Sequence, residues 1–169
     1  MHLICGPTGA GKTTYARQVA EASGAVRFSI DEWMSALFWM DAPDPFPPAW
    51  AMERVERSAA LIWRTAADVC GRGVPCVLEI GLTTVAARAR YAGLAREAGF
   101  AVRLHLVDAP VDERWERVET RNLAPEADQL PFKVTREMFD FVETMWERPT
   151  AAELAANDGV AVDTGRAHV

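Results

Sequence analysis

The chain has 169 residues, half of them apolar and a quarter charged, with a net charge of −6. That length suits one domain with a sizeable core, and the composition is that of a globular protein rather than a disordered or fibrous one. The acidic balance disfavours nucleic acid as a partner while leaving room for a local basic cleft, and no apolar run reaches the roughly 20 residues of a membrane span.

Apolar runs alternate with helical patterns, which predicts a parallel sheet covered by helices. "HLIC" (2–5) reads as a first strand, followed by a glycine loop and a helix from about 12 to 22. "AVRFSI" (25–30) is a second strand, with Asp31 at its C-terminal end and a short helix, "EWMSALFWM", behind it. The proline-rich "DAPDPFPP" continues neither helix nor sheet. A long helix is predicted over 49–70, a third strand over 75–81, a helix over 84–98 and a fourth strand over 101–107. A helix over 111–122, a loop over 123–133, a helix over 135–147 and a last strand over 159–164 complete the chain. One α/β domain, 1–169, accounts for every segment. No basic and apolar leader precedes residue 6, and Cys5, Cys70 and Cys76 lack CxxC spacing, so free thiols in a reducing cytoplasm are expected.

"GPTGAGKTT" (6–14) fills GxxxxGK[ST] with Gly6, Gly11, Lys12 and Thr13, between a strand and a helix as the motif requires. Gly6, Pro7, Thr8, Gly9, Ala10, Gly11, Lys12, Thr13 and Thr14 form the expected nucleotide-binding segment. Its backbone N–H groups and the following helix N-terminus cradle phosphate oxygens; Lys12 reaches the β- and γ-phosphates, and the Thr13 hydroxyl ligates Mg²⁺. Lys12 and Lys133 are the only lysines, so a lysine here does not come from a lysine-rich background.

At these residues the chain resembles the small P-loop kinases of the nucleoside-monophosphate-kinase-like group. The likeness is strongest to AAA_33-type kinases, which include relatives of polynucleotide kinase, zeta toxin and chloramphenicol phosphotransferase. Three further stretches carry it: "SID" (29–31), the acid in "VLEIG" (Glu79), and "RVETRN" (117–122) as a lid helix. The resemblance implies a three-layer fold with parallel strand order 2-3-1-4-5, an acceptor-side insertion at about 31–50 and a lid at about 114–134. It implies an enzyme that transfers the γ-phosphate of ATP to a hydroxyl.

On that reading Asp31 is the base that orients and deprotonates the acceptor hydroxyl, with helix capping as the plain alternative. Glu79, a carboxylate on an otherwise apolar strand, supports the metal with Thr13. Arg114, Arg117 and Arg121 share a helix face; Arg117 and Arg121 are assigned to catalysis, where they offset charge on the transferred group, and surface ion pairs are the alternative. Arg88 and Arg90 are weaker candidates for acceptor or phosphate contact. Trp33, Phe38, Trp39, Phe46 and Trp50 either wall an acceptor or pack the proline loop. Met138, Phe139, Val142 and Trp146 form a stripe at core spacing, and His2, His105 and His168 show no metal-ligand spacing. Polynucleotide kinases of the group tend to carry arginine three residues after the aspartate; Met34 stands there, which with the acidic net charge favours a small hydroxyl compound, charged or not, while a polynucleotide 5′-hydroxyl kinase and a non-catalytic ATP-binding switch are the alternatives. Neither the oligomeric state nor the acceptor's identity is encoded in a motif.

Overall fold

A computed structural model describes residues 1–43, 47–124 and 133–165. Five strands form one all-parallel sheet: β1 (His2–Cys5), β2 (Val26–Ser29), β3 (Cys76–Glu79), β4 (Arg103–Asp108) and β5 (Val160–Asp163). Their order, β2-β3-β1-β4-β5, is the one the resemblance implied. Between them run α1 (Lys12–Ser23), α2 (Ile30–Phe38), α3 (Pro48–Cys70), α4 (Val85–Glu97), α5 (Val111–Asn122), α6 (Arg136–Met145) and α7 (Ala151–Ala156).

Strand periodicity splits the core into two layers. Leu3, Cys5, Leu78, Leu104 and Leu106 point to one face, where Ile62 and Ala66 of α3 and Tyr91 and Ala92 of α4 cover them. Ile4, Val77 and Val107 point to the other, against Ala16 and Val19 of α1. A sheet buried on both faces needs apolar residues at nearly every position, which is why these strands read as runs rather than alternations. Burial also raises the thiol pKa of Cys5 and Cys76 to about 12 each, so neither is a ready nucleophile.

Several elements differ from the sequence reading, most of them by one or two residues at an end. The second strand stops at Ser29, and Ile30 already belongs to α2. A 3₁₀ turn, Trp39–Asp41, follows α2 before the chain reaches Pro47. The helix α7 was not foreseen at all, although Thr150 and Glu153 spell a capping box, and the Thr150 side chain does accept from the Glu153 N–H at 3.1 Å.

The histidines are less scattered than their numbering suggests. His105 sits on β4 at 4% exposure, with its Nε2 2.9 Å from His2 Nδ1 and its Nδ1 2.9 Å from the Tyr15 hydroxyl. No cluster of three metal-ligating side chains occurs among the described residues, and His168 lies outside them. Burial, then the neighbouring His2 and Arg103, lower the His105 pKa to about 4. The unfolded chain therefore takes up a proton near pH 6.5 that the folded chain refuses until about pH 4, so stability present above pH 6.5 is lost as the pH falls through that window. Melting temperature should drop between pH 6.5 and 5, and His105→Gln should flatten that drop. Parallel curves for the two proteins would contradict this account.

Candidate active site

The glycine loop is shaped by what presses on it from behind. A Cβ at Gly6 would lie 2.1 Å from the carbonyl oxygen of Val107 on β4, and one at Gly9 would lie 2.4 Å from the carbonyl oxygen of Arg114 on α5. No larger residue fits either place. The carbonyls of the loop are tied one after another: Pro7 O accepts from Lys12 Nζ at 2.8 Å and Thr8 O from Arg114 Nη1 at 3.1 Å. Gly9 O accepts from Arg117 Nη1 at 3.4 Å and Ala10 O from the Thr164 hydroxyl at 2.8 Å. In a planar peptide the N–H points opposite its carbonyl, so fixing these four carbonyls fixes the directions of the intervening N–H groups. Gly11, at φ 82°, leads into α1, whose first turn carries no acid and no side-chain cap. Such a helix start suits an anion. Thr14 is exposed in that turn.

Thr13, one residue after Lys12, donates its hydroxyl to Glu79 Oε1 at 2.6 Å. The two residues named for the metal thus meet directly, although they are 66 positions apart. Glu79 ends β3 beside Ser29 of β2 and is 4% exposed. Burial pushes its pKa up, opposed by the Thr13 hydrogen bond and by Lys12. Its second oxygen accepts from Arg27 Nη1 at 3.0 Å. A hydroxyl and a carboxylate are the hard oxygen donors that Mg²⁺ prefers.

Past the strand ends lies a cleft of about 180 Å³ that brings together the loop (Gly6 to Thr8), Lys12, Asp31 and Glu79. Ligands of open parallel sheets gather at this edge. Lys12 is half-buried, and burial lowers its pKa against the opposing pull of Asp31 and Glu79. Asp31 is exposed in the first turn of α2, while Ser29 occupies the N-cap position. The capping alternative for Asp31 therefore lacks its geometry. Ile30, Leu82, Val142 and Trp146 supply apolar wall.

The arginines part company. Arg114, 5% exposed, pairs with Glu143 through two bonds of 2.7 Å while it holds Thr8 O. Arg117 bonds the Thr164 hydroxyl at 3.1 Å and backbone oxygen at 2.5 Å, so its guanidinium sits against the outside of the loop. Arg121 is different: it is half-buried, its Nε has no hydrogen-bond partner, and Asp31 is the charge acting on it. Burial lowers its pKa. Desolvating a guanidinium nitrogen without a partner is costly, and a phosphate oxygen would relieve that cost. Residues 125–132, the distal part of the expected lid, lie outside the described residues.

A family model for the AAA domain, AAA_33, matches residues 1–145. The chain belongs to the AAA_33 family. No curated protein matches it. Among solved structures, Kti12 from Chaetomium thermophilum in complex with ADP-AlF3 is 16% identical, with a TM-score of 0.70, covering 96% of this chain and 88% of that one. APS kinase CysC from Mycobacterium tuberculosis, in complex with AMPPNP and APS, is 17% identical, with a TM-score of 0.63 and coverage of 98% and 89%. A gluconokinase from Sinorhizobium meliloti 1021 is 18% identical, with a TM-score of 0.57 and coverage of 96% and 81%. These similarities establish for this AAA_33 chain the fold of the P-loop kinases.

Other candidates in the AAA_33 chain have structural duties. Arg88 is 1% exposed, bonds Glu153 at 2.5 and 3.1 Å, and holds the carbonyls of Leu82 and Thr83. Arg90 is exposed, with its guanidinium 5.6 Å from the Tyr91 ring centre. Trp33 packs edge-on against Phe28, and the Arg54 guanidinium lies 3.9 Å from the Trp50 ring centre. None of the described members of that aromatic cluster lines the cleft, and Phe46 lies outside the described residues. Trp146, assigned to a core stripe with Val142, packs against the main core as expected and lines the cleft as well. Met34 packs against the main core and meets the Ser58 hydroxyl through its sulfur at 3.9 Å. Arg27 was missed, because a lone arginine on a short strand carries no motif.

Proposed function

We propose that the protein is an ATP- and Mg²⁺-dependent kinase that moves the γ-phosphate to a hydroxyl of a small-molecule acceptor. The observation that carries this reading is the convergence of Lys12, Asp31 and Glu79 on one cleft beside a loop whose carbonyls are tied back. The acceptor oxygen forms the new bond to phosphorus, the bond from phosphorus to the β-phosphate oxygen breaks, and the hydroxyl proton goes to the Asp31 carboxylate. Lys12 and Arg121 offset charge on the transferred group, with Arg117 holding the loop from the lid helix. Thr13 and Glu79 would hold Mg²⁺, which would supply neutralisation of phosphate charge when bound. The loop at 6–14 takes the triphosphate, Asp31 at the head of the acceptor-side segment (about 31–50) faces the acceptor, and the lid is assigned to about 114–134.

The exposed position of Asp31 supports a kinase over an ATP-binding switch, which has no use for an open carboxylate beside the phosphates. An uncharged acceptor is supported by the apolar wall and by the commitment of Arg27, Arg88 and Arg114 to Glu79, Glu153 and Glu143. Met34, partly buried and packed against the core, argues against a grip on a polynucleotide phosphate. No helix among the described residues is long and apolar enough to cross a membrane. The free thiols of Cys5, Cys70 and Cys76 suit the reducing cytoplasm in which we place the enzyme.

The test is transfer of labelled γ-phosphate from ATP to a panel of neutral hydroxyl metabolites, antibiotics and 5′-hydroxyl oligonucleotides. Transfer to neutral small molecules is expected. Label on oligonucleotides alone would make this a polynucleotide kinase, and ATP binding without transfer to any acceptor would favour the switch. On the acceptor so found, Arg121→Ala should lower kcat by ~10²-fold or more with little loss of ATP affinity, because its charge matters most when charge spreads over the transferred group. Normal turnover with altered thermal stability would return Arg121 to a structural role.

A further inference from the structure

Glu79 is an unusual place to leave a carboxylate. Its side chain is 6% exposed on a strand whose other residues, Cys76, Val77 and Leu78, are fully buried. A glutamate also has one more rotatable bond than an aspartate, so its head group has more positions to choose among. Something must choose. Thr13 touches Oε1, but a hydroxyl rotates and does not fix the carboxylate plane. Oε2 is taken by Arg27, whose own side chain is 13% exposed.

Strand pairing makes this contact possible. β2 and β3 run parallel with Ser29 level with Glu79 and Arg27 level with Val77, so the Arg27 side chain reaches along the sheet edge to the end of β3. Its other terminal nitrogen bonds Glu32 in the first turn of α2. Glu32, 53% exposed, is held in addition by Arg17 at 3.5 Å. The guanidinium is thus clamped between two carboxylates, one buried and one at the surface. A planar fork held on both sides has little freedom, and it transmits that fixity to Glu79.

We infer that Arg27 is a positioning residue for the metal site: it holds Glu79 Oε2 so that Oε1 stays turned towards Thr13. The inference rests on the reading of Thr13 and Glu79 as the Mg²⁺-holding pair. Arg27 itself is not among the residues that line the cleft. Partners that orient a metal-binding side chain matter nearly as much as the side chain itself, because a misaimed carboxylate binds poorly. A lysine at this place would supply charge but not the fork, and could not bond both glutamates in one plane.

The experiment is a binding measurement on the whole chain, with ADP and Mg²⁺ as probes and no acceptor or turnover involved. Calorimetry gives ADP affinity without Mg²⁺, and titration of Mg²⁺ into the protein–ADP complex gives the metal affinity. Arg27→Met should weaken Mg²⁺ binding ~10–100-fold, the usual loss when such a partner is removed, while ADP affinity without metal stays within about 2-fold. Arg27→Lys retains a cation beside the buried Glu79, so it remains folded should Arg27→Met fail to fold, and it should show a smaller loss in the same direction. Mg²⁺ affinity equal to wild type in Arg27→Lys and in any folded Arg27→Met overturns the inference, whatever happens to melting temperature. So does a loss of ADP affinity that is the same with and without Mg²⁺. A wild-type complex indifferent to Mg²⁺ removes the metal reading and this inference together, whereas a protein that shows the Mg²⁺ effects but phosphorylates nothing refutes the kinase alone.

Discussion

Asp31→Asn is expected to reduce phosphoryl transfer by ~10²–10⁴-fold, the range for loss of a positioned general base. The substitution keeps the size of the side chain and removes its ability to take a proton. ATP and Mg²⁺ should bind nearly as before, because the loop, Thr13 and Glu79 are untouched. Stability should change little: Ser29, not Asp31, is the N-cap of α2, so what is lost is the favourable placement of an acid in a first helical turn, about 0.3–1 kcal/mol. Melting temperature, ATP affinity and transfer are measured side by side in this one variant. Preserved transfer with a lowered melting temperature would assign Asp31 to the helix alone and leave the cleft without a base.

Lys12→Ala should abolish detectable transfer and sharply weaken ATP binding. The ammonium is half-buried in the cleft, with its Nζ on Pro7 O at 2.8 Å and with Asp31 and Glu79 as its opposite charges. Removing one neutral donor to a developing anion costs ~10²–10³-fold in turnover, and a full positive charge at that place should cost at least as much. The loop itself should survive. Arg114, Arg117 and Thr164 still tie Thr8, Gly9 and Ala10 from outside, so the melting temperature should stay close to that of wild type. Calorimetry with ATP, turnover and a thermal melt check the three statements. Unchanged turnover would exclude Lys12 from the chemistry.

What the sequence revealed depended on how far apart the cooperating residues lie. The phosphate loop was legible because its parts are covalent neighbours and the strand before and helix after it follow at once. The sheet was legible because strands buried on both faces have to be apolar runs, and the family resemblance supplied their order. Pairings set only by the fold were not legible. Arg88 reads as a free cation behind the third strand until Glu153 arrives from 65 positions away, and Arg114 until Glu143 arrives from 29. Neither separation carries a period. Arg27 belongs to the same class, since only the parallel register of β2 on β3 brings it to Glu79. Helical spacing placed Val142 and Trp146 in a core stripe; Trp146 does pack against the core, but spacing alone does not show that both also wall the cleft. The helix α7 was missed despite a capping box, because six residues are too few to show a hydrophobic period.

The bond from Thr164 to Ala10 joins residues 154 positions apart. Thr164 also receives Arg117, which reaches Gly9, so the back of the phosphate loop rests on the residue that follows β5. During synthesis the loop leaves the ribosome well before its support, which lies 154 positions further along the chain. A nascent chain holding β1 and α1 has the sequence of a nucleotide site without its shape. Domains fold as units, so competence of this loop to hold a nucleotide is expected to come late, with insertion of the edge strand β5. A nucleotide bound there would be a ligand of the completed sheet and would stabilise the finished fold over its shorter precursors.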